Sequence, residues 1–240
     1  MLAESSGIVM RQIVYTGAGD QEVGGVGHVD CVVIKLLEKY KELGHSVYMD
    51  NYFDSVNLVR QLKCAKLHCT GTLRKNRRNN PKDVTEAKLR RNEYICRWTD
   101  DGICVLKWKD KRDILMISSE HGAEFTSVKS RRGTEREKPN IVLEYNKYMG
   151  GIDNLDQMLA YYPCDRKTLK WYKKLAIHFF QIIMVNSFKL FDSYSGTKKT
   201  LSEFRLEVIG ELVSSKESLS LAKRIPENFF HFPKYPWTLL

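Results

Sequence analysis

Apolar residues recur at helical spacing in HVDCVVIKLLEKYKELG (residues 28–44), at Val32, Val33, Leu36, Leu37 and Tyr40, and Gly44 closes the pattern. Before it, GIVMRQIVYTG (residues 7–17) reads as a strand, with Ile8, Met10, Ile13 and Tyr15 among its apolar positions. After it, HSVYMDNYF (residues 45–53) predicts a short strand that ends at Asp50. DSVNLVRQLKCAKL (residues 54–67) predicts a helix with Asp54 or Ser55 as N-cap, and HCTGTLR (residues 68–74) another strand. Strand, helix, strand, helix, strand is the order of an α/β core.

Between the first strand and the first helix lies GAGDQEVGGVG, residues 17–27. A glycine loop there invites a phosphate-binding reading. A dinucleotide fingerprint needs glycine where Glu22 stands, and a P-loop needs Lys and Ser or Thr where Gly25 and Val26 stand. Both templates fail, and the loop reads as a flexible connection.

The pattern changes at Arg74. RKNRRNNPK gives way to β-like EYICRWTDDGICVLKWKDKRDILMISS, with DDG (residues 100–102) as a hairpin signal. Residues 74–138 hold 18 Lys and Arg against 11 Asp and Glu, most of the excess charge of the chain. We read residues 1–73 as the first part of a core and residues 74–140 as a basic, β-rich insertion that contacts nucleic acid. Residues 141–195 then form the helical second part of the core, and residues 196–240 an amphipathic helix with a tail rich in Pro, Phe and Trp. In TLKWYKKLAIHFFQIIMVNSFKLF (residues 168–191), only His178 and Gln181 are polar between Leu175 and Val185. That predicts a buried helix with His178 as a core histidine.

Charge narrows the partners. The chain has 240 residues, 39 Lys and Arg against 29 Asp and Glu, and a formal net charge of +10, which points to a polyanion such as nucleic acid, or to an acidic membrane surface. Hydrophobic content of 42% supplies a core. No apolar run approaches the ~18 residues of a membrane span, and no signal-peptide core opens the chain, so a soluble intracellular protein is the expectation. A core strand within a few residues of Met1 suggests a piece of a longer protein. None of the six cysteines forms a C-x-x-C pair, so no zinc site is evident; His28 and Cys31 have ligand spacing but read as packing.

One stretch runs against the basic balance. MGGIDNLDQM (residues 149–158) sets Asp153 and Asp156 three residues apart behind a Gly-Gly break. Like charges at that spacing repel. Alone, the pair reads either as a solvated helix start or as ligands for a hard cation such as magnesium.

YTG after a strand, YMDNYFDS, GTLRKNRR, YNKYMGGIDNLDQM and RKTLKWYKKL follow one another in the order seen in piggyBac-type transposases. The resemblance spans residues 4–192. It implies an RNase H-like core of the DDE type, interrupted by a β-rich insertion, with two Mg²⁺ or Mn²⁺ ions cutting DNA and joining 3′-hydroxyl ends. The second catalytic aspartate matches Asp50, the third Asp153, and a further acid Asp156. Allowing one deletion, Glu4 stands at the first acidic position; counted without a gap, that position is Ala3. The tryptophan of the family's basic patch matches Trp171, just after Arg166 and Lys167. With Lys170, Lys173 and Lys174, and with Arg74, Lys75, Arg77 and Arg78 of the insertion, these residues are the expected DNA contacts. The resemblance further implies a nuclear protein, and a homodimer formed through an N-terminal region not in this sequence. Two readings stand side by side: the catalytic portion of a transposase, or a domesticated derivative that binds DNA without cutting it.

Overall fold

The structure, a computed structural model, describes residues 1–129, 133, 135–164 and 167–214, and the backbone of Trp237–Leu239. It divides into two units: residues 1–152 with the strand at 237–239, and a second that begins at Asp153.

The first unit is built on one sheet. Short strands β1 (Leu2–Glu4) and β2 (Val9–Arg11) form a hairpin. Helix α1 (His28–Leu37), strand β3 (Ser46–Met49), helix α2 (Val56–Cys64) and strand β4 (His68–Thr72) follow in the expected order. The strand expected over residues 7–17 shrinks to Val9–Arg11. Ser55 is the cap of α2, its hydroxyl accepting the Leu58 N–H at 3.1 Å, as helix N-termini favour.

After the short helix α3 (Lys82–Glu86), strands β5 (Tyr94–Trp98), β6 (Cys104–Lys109) and β7 (Asp113–Ser118) form an antiparallel meander. The DDG signal is the β5–β6 turn, where Gly102 takes a left-handed φ of 71° and donates to the Thr99 carbonyl at 2.8 Å. This meander extends the main sheet: β7 pairs antiparallel with β4, Thr72 facing Met116. The change of composition at Arg74 therefore marks no break in the sheet. Strands β8 (Phe125–Lys129) and β9 (Glu135–Pro139) make a separate hairpin leading into α4 (Asn140–Tyr148).

The order across the main sheet is β2-β1-β10-β3-β4-β7-β6-β5, with β10 (Trp237–Leu239) between β1 and β3. Strands β10, β3 and β4 run parallel. Alternation along the strands sends side chains to two faces. Val47, Met49, Cys69, Val105 and Ile117 meet Val33, Leu36 and Leu37 of α1 and Leu58, Val59 and Leu62 of α2 in one core. Leu106, Trp108 and Met116 meet Ile141 and Val142 of α4 in the other.

The second unit is helical. Helix α5 (Gly151–Tyr161) starts at the Gly-Gly break, α6 spans Trp171–Tyr194 and α7 spans Leu201–Ser214. The expectation of a buried α6 is corrected. Ile182 and Val185 are buried, while Phe180 is 65% and Ile183 59% exposed, and His178 is only half-buried. Apolar residues all round a helix state its preference, not what is available to cover it. By length and composition alone, α6 is also apolar enough to cross a membrane, because scattered polar residues interrupt the run without offsetting it.

Candidate acidic cleft and basic surface

Asp50 follows the last residue of β3, and its side chain falls on the α4 face of the sheet, beside Thr72 at the end of β4. Its Oδ1 accepts the Asn51 N–H at 2.6 Å and the Thr72 hydroxyl at 3.2 Å. Its carbonyl accepts the N–H groups of Phe53 and Asp54 at 3.0 and 3.2 Å, which folds DNYF into a tight turn. Oδ2 makes no hydrogen bond among the described residues, and Asp50 lines a cleft of about 460 Å³.

Among the residues lining this cleft is a buried lysine that the sequence pattern hid. Lys107, in the middle of β6, is 6% exposed. Its ammonium donates to the Ala87 carbonyl at 2.6 Å and the Thr85 carbonyl at 3.2 Å, and pairs with Asp113 at 3.2 Å. Hydrogen bonds from Lys109 and Lys107 hold the Asp113 carboxyl below the usual carboxylate range. Asp113 is thus committed to lysines, and the acid with an open oxygen in the cleft is Asp50. Lys75 lines the same cleft and is exposed.

Asp54 was legible as a cap and is something else. It is fully buried, burial pushes its pKa well up, and its Oδ1 accepts from the Cys69 thiol at 3.4 Å. Its carboxyl lies against Gly71 of β4, where a Cβ would stand 1.7 Å from Oδ2.

The basic loop after β4 splits into two roles. Arg74 donates to the Asn51 side-chain oxygen at 2.9 Å, with its guanidinium 5.4 Å from the Tyr52 ring centre. Arg77 is half-buried and donates to the carbonyls of Tyr52 and Asn51. Asn80 ties down the carbonyls of Arg74 and Lys75 at 2.8 and 3.2 Å. Arg74 and Arg77 therefore position the turn that carries Asp50, whereas Lys75 and Arg78 face solvent. Replacing Arg77 with Ala strips two carbonyls of their donor, and should cost about 1–3 kcal/mol of stability in chemical denaturation. Arg78→Ala should cost less than about 0.5 kcal/mol.

Glu4 ends β1 and accepts the Ser6 hydroxyl at 2.7 Å. In register, Glu4 stands level with Trp237 and Val47, whereas Leu2 stands level with Leu239 and Met49. Glu4 is therefore displaced from Asp50 by three residues along the strand and two strand spacings across, about 14 Å. The structure does not bring these two acids together. Ala3 is a buried position within the sheet, level with Thr238 and Tyr48. His28 is not paired with Cys31: its Nδ1 lies 2.5 Å from the Val23 carbonyl and its ring against Tyr15.

In the second unit, Asp153 and Asp156 are exposed on one side of α5, and Leu155 is buried on the other. Arg166 lies outside the described residues. Lys167, Lys170, Lys173 and Lys174 are exposed around the start of α6, with Trp171 68% exposed and edge-on to Tyr172. Cations there oppose the positive end of the helix dipole. Trp171 is a surface residue, free to stack. Among the described residues, no three His, Cys, Asp or Glu side chains gather closely enough to hold a metal ion.

A family model described as Transposase IS4 matches residues 1–188. The chain is 27% identical over 183 residues to human PiggyBac transposable element-derived protein 3, covering 72% of this chain and 31% of that protein. It is 25% identical over 173 residues to human PiggyBac transposable element-derived protein 2, covering 66% of this chain and 29% of that protein. The chain thus spans about a third of the length of these curated relatives. A cryo-EM structure of the piggyBac transposase synaptic complex with hairpin DNA superposes with a TM-score of 0.70 at 26% identity, over 87% of this chain and 45% of that one.

Proposed function

This chain belongs to the Transposase IS4 family, of the piggyBac type, and on that premise we propose that it acts on DNA as transposase machinery, cutting strands and joining 3′-hydroxyl ends. One observation carries the reading: Asp50 closes a parallel core strand with one carboxylate oxygen held and the other open to a cleft.

Family chemistry of this type depends on divalent metal. The donors here fit a hard cation by type, since Asp50, Asp153 and Asp156 offer only carboxylate oxygens, and Mg²⁺ takes one or two of these with water and phosphate. Glu4, by its register, stands about 14 Å from Asp50. A bound pair of Mg²⁺ or Mn²⁺ ions would supply charge neutralisation at phosphorus and an activated attacking oxygen. The residues of the chain prepare for this. Thr72 and the Asn51 N–H fix the rotamer of Asp50. Arg74 and Arg77 hold the turn behind it. Lys75 presents a cation at the rim, and Lys170, Lys173 and Lys174 present cations where a DNA backbone phosphate would relieve their mutual repulsion. A DNA substrate puts the protein in the nucleus.

Titration calorimetry with Mg²⁺ and Mn²⁺ tests this. Asp50→Asn, and separately Asp153→Asn with Asp156→Asn, are expected to weaken metal binding at least about tenfold, as loss of a coordinating group should. Equal binding by the parent and both variants would overturn the assignment. A second reading rests on the 14 Å offset of Glu4: a derivative that binds DNA without cutting it. It predicts DNA affinity without metal-dependent cleavage.

A further inference from the structure

The main sheet ends on β5, and among the described residues nothing pairs with its outer side. Lys109 donates to the Glu93 carbonyl at 3.0 Å, and Thr99 to the Ile103 carbonyl at 2.9 Å. Ile95 and Arg97, opposite Lys107 and Val105, continue this alternation, so the odd-numbered residues turn their backbone groups to β6. The N–H and C=O groups of Tyr94, Cys96 and Trp98 therefore point away from the sheet, and no hydrogen bond reaches them from the described residues. Sheet edges are normally guarded by lysine, proline, a bulge or short length. The opposite edge, β2, is three residues long. β5 has five, none of them Lys or Pro, and its one charge, Arg97, is bonded to Asp83 at 2.5 Å. Tyr94 and Trp98 stand on this edge at 47% and 54% exposure.

The sequence around the edge is complementary to itself when reversed. Arg90 and Arg91 precede the strand, Asp100 and Asp101 follow it, and Tyr94 and Trp98 lie either side of Cys96. From this we infer that β5 is a docking edge for β5 of a second copy, paired antiparallel with Cys96 facing Cys96. That register alone uses every outward backbone group: Tyr94 of one copy exchanges hydrogen bonds with Trp98 of the other, and Cys96 with its counterpart. It sets each exposed tyrosine beside an exposed tryptophan on one face of the sheet, a favourable cross-strand pair. It also brings the basic end of each strand to the acidic end of the other, with Asn92 facing Asp100 and Arg91 next to it. Asp101 is already held by Arg60 at 2.5 Å, whereas Asp100 and Arg91 are exposed. Parallel pairing would set arginine against arginine and aspartate against aspartate. A strand of unrelated sequence would match the backbone and not this order of charges. Five residues a side make a small interface, so the dimer is weak, with a dissociation constant on the order of 10–100 μM. With β3 four strands in from β5 in each copy, the two strands that lead to Asp50 stand about 43 Å apart along the joined sheet.

Sedimentation equilibrium of the whole chain between about 5 and 500 μM should show monomer and dimer in exchange. Arg91→Glu, and separately Asp100→Arg, should each weaken the dimer at least about tenfold, because attractive contacts at both ends become repulsive. Both are exposed turn residues, so the fold is untouched. Arg91→Glu with Asp100→Arg in one chain reverses both ends together and should recover the parent constant within about threefold, as should an equimolar mixture of the two single variants. A monomer throughout the range would overturn the proposal, and so would a dimer indifferent to both single variants. Loss without recovery in the combined variant would overturn the antiparallel register. Hydrogen exchange on the unsubstituted chain reads the edge independently: amides of Tyr94, Cys96 and Trp98 should slow as concentration rises, while those of Ile95 and Arg97 are slow throughout. No change with concentration at Tyr94, Cys96 and Trp98 would overturn the edge assignment.

Discussion

Gly71→Ala should destabilise the first unit by about 3 kcal/mol or more, lowering the denaturant midpoint without changing the slope. The added Cβ would stand 1.7 Å from Asp54 Oδ2 and 2.4 Å from the Met49 carbonyl oxygen. Neither neighbour can retreat. Asp54 is fully buried at the start of α2, and Met49 belongs to the ladder between β3 and β4. The backbone of Gly71 is not in the left-handed region; the need for glycine there is one of space. Asp54→Ser in the Gly71→Ala background should recover part of the loss, because it removes the nearer clash and leaves the carbonyl. That coupling identifies Asp54 as the side chain resting on Gly71. A cost under about 0.5 kcal/mol for Gly71→Ala would contradict the packing. A shift of β3 would also move Asp50, so metal binding should weaken in the same variant.

Lys173→Glu with Lys174→Glu is expected to lower DNA affinity about a hundredfold at 50 mM salt, and to flatten the log–log dependence on salt by about 1.8. Both lysines lie exposed in the first turn of α6. There they repel the helix dipole and one another, a cost that a phosphate would remove. The prediction concerns backbone phosphates, so the loss should be the same for unrelated DNA sequences. Fluorescence anisotropy across a salt series reads both quantities. An unchanged slope would remove this helix start from the DNA-binding surface. Trp171→Ala should act differently, weakening single-stranded more than duplex binding, because stacking needs an unpaired base.

Much of the local structure was legible. The apolar spacing of Val33, Leu36 and Leu37 marked α1 and its buried side, Ser55 marked the start of α2, and DDG marked a turn. The strand pattern of HSVYMDNYF put Asp50 at a strand end, and β3 closes one residue before it. Three features were not legible. Lys107 looked like one more cation in a basic stretch, although alternation through VLKWK places it among buried neighbours. Arg77 read only as a DNA contact, with no sign in the sequence that its Nη2 ties down two carbonyls of the DNYF turn. The apolar run of α6 spoke for burial, but burial needs partners, and a helix pattern does not name them.

Local sequence settled whatever depends on neighbours in the chain: which segments are helices or strands, where they cap and turn, and the charge that draws a polyanion. Those outcomes follow from backbone sterics and short-range hydrogen bonds, which act within a few residues. Tertiary structure decided the rest. It placed residues 237–239 beside β1 and β3, set Glu4 two strands away from Asp50, and joined Arg77 to two carbonyls of the turn after Asp50. Each of these choices joins groups far apart in sequence, and their energies arise only once the intervening chain has folded around them.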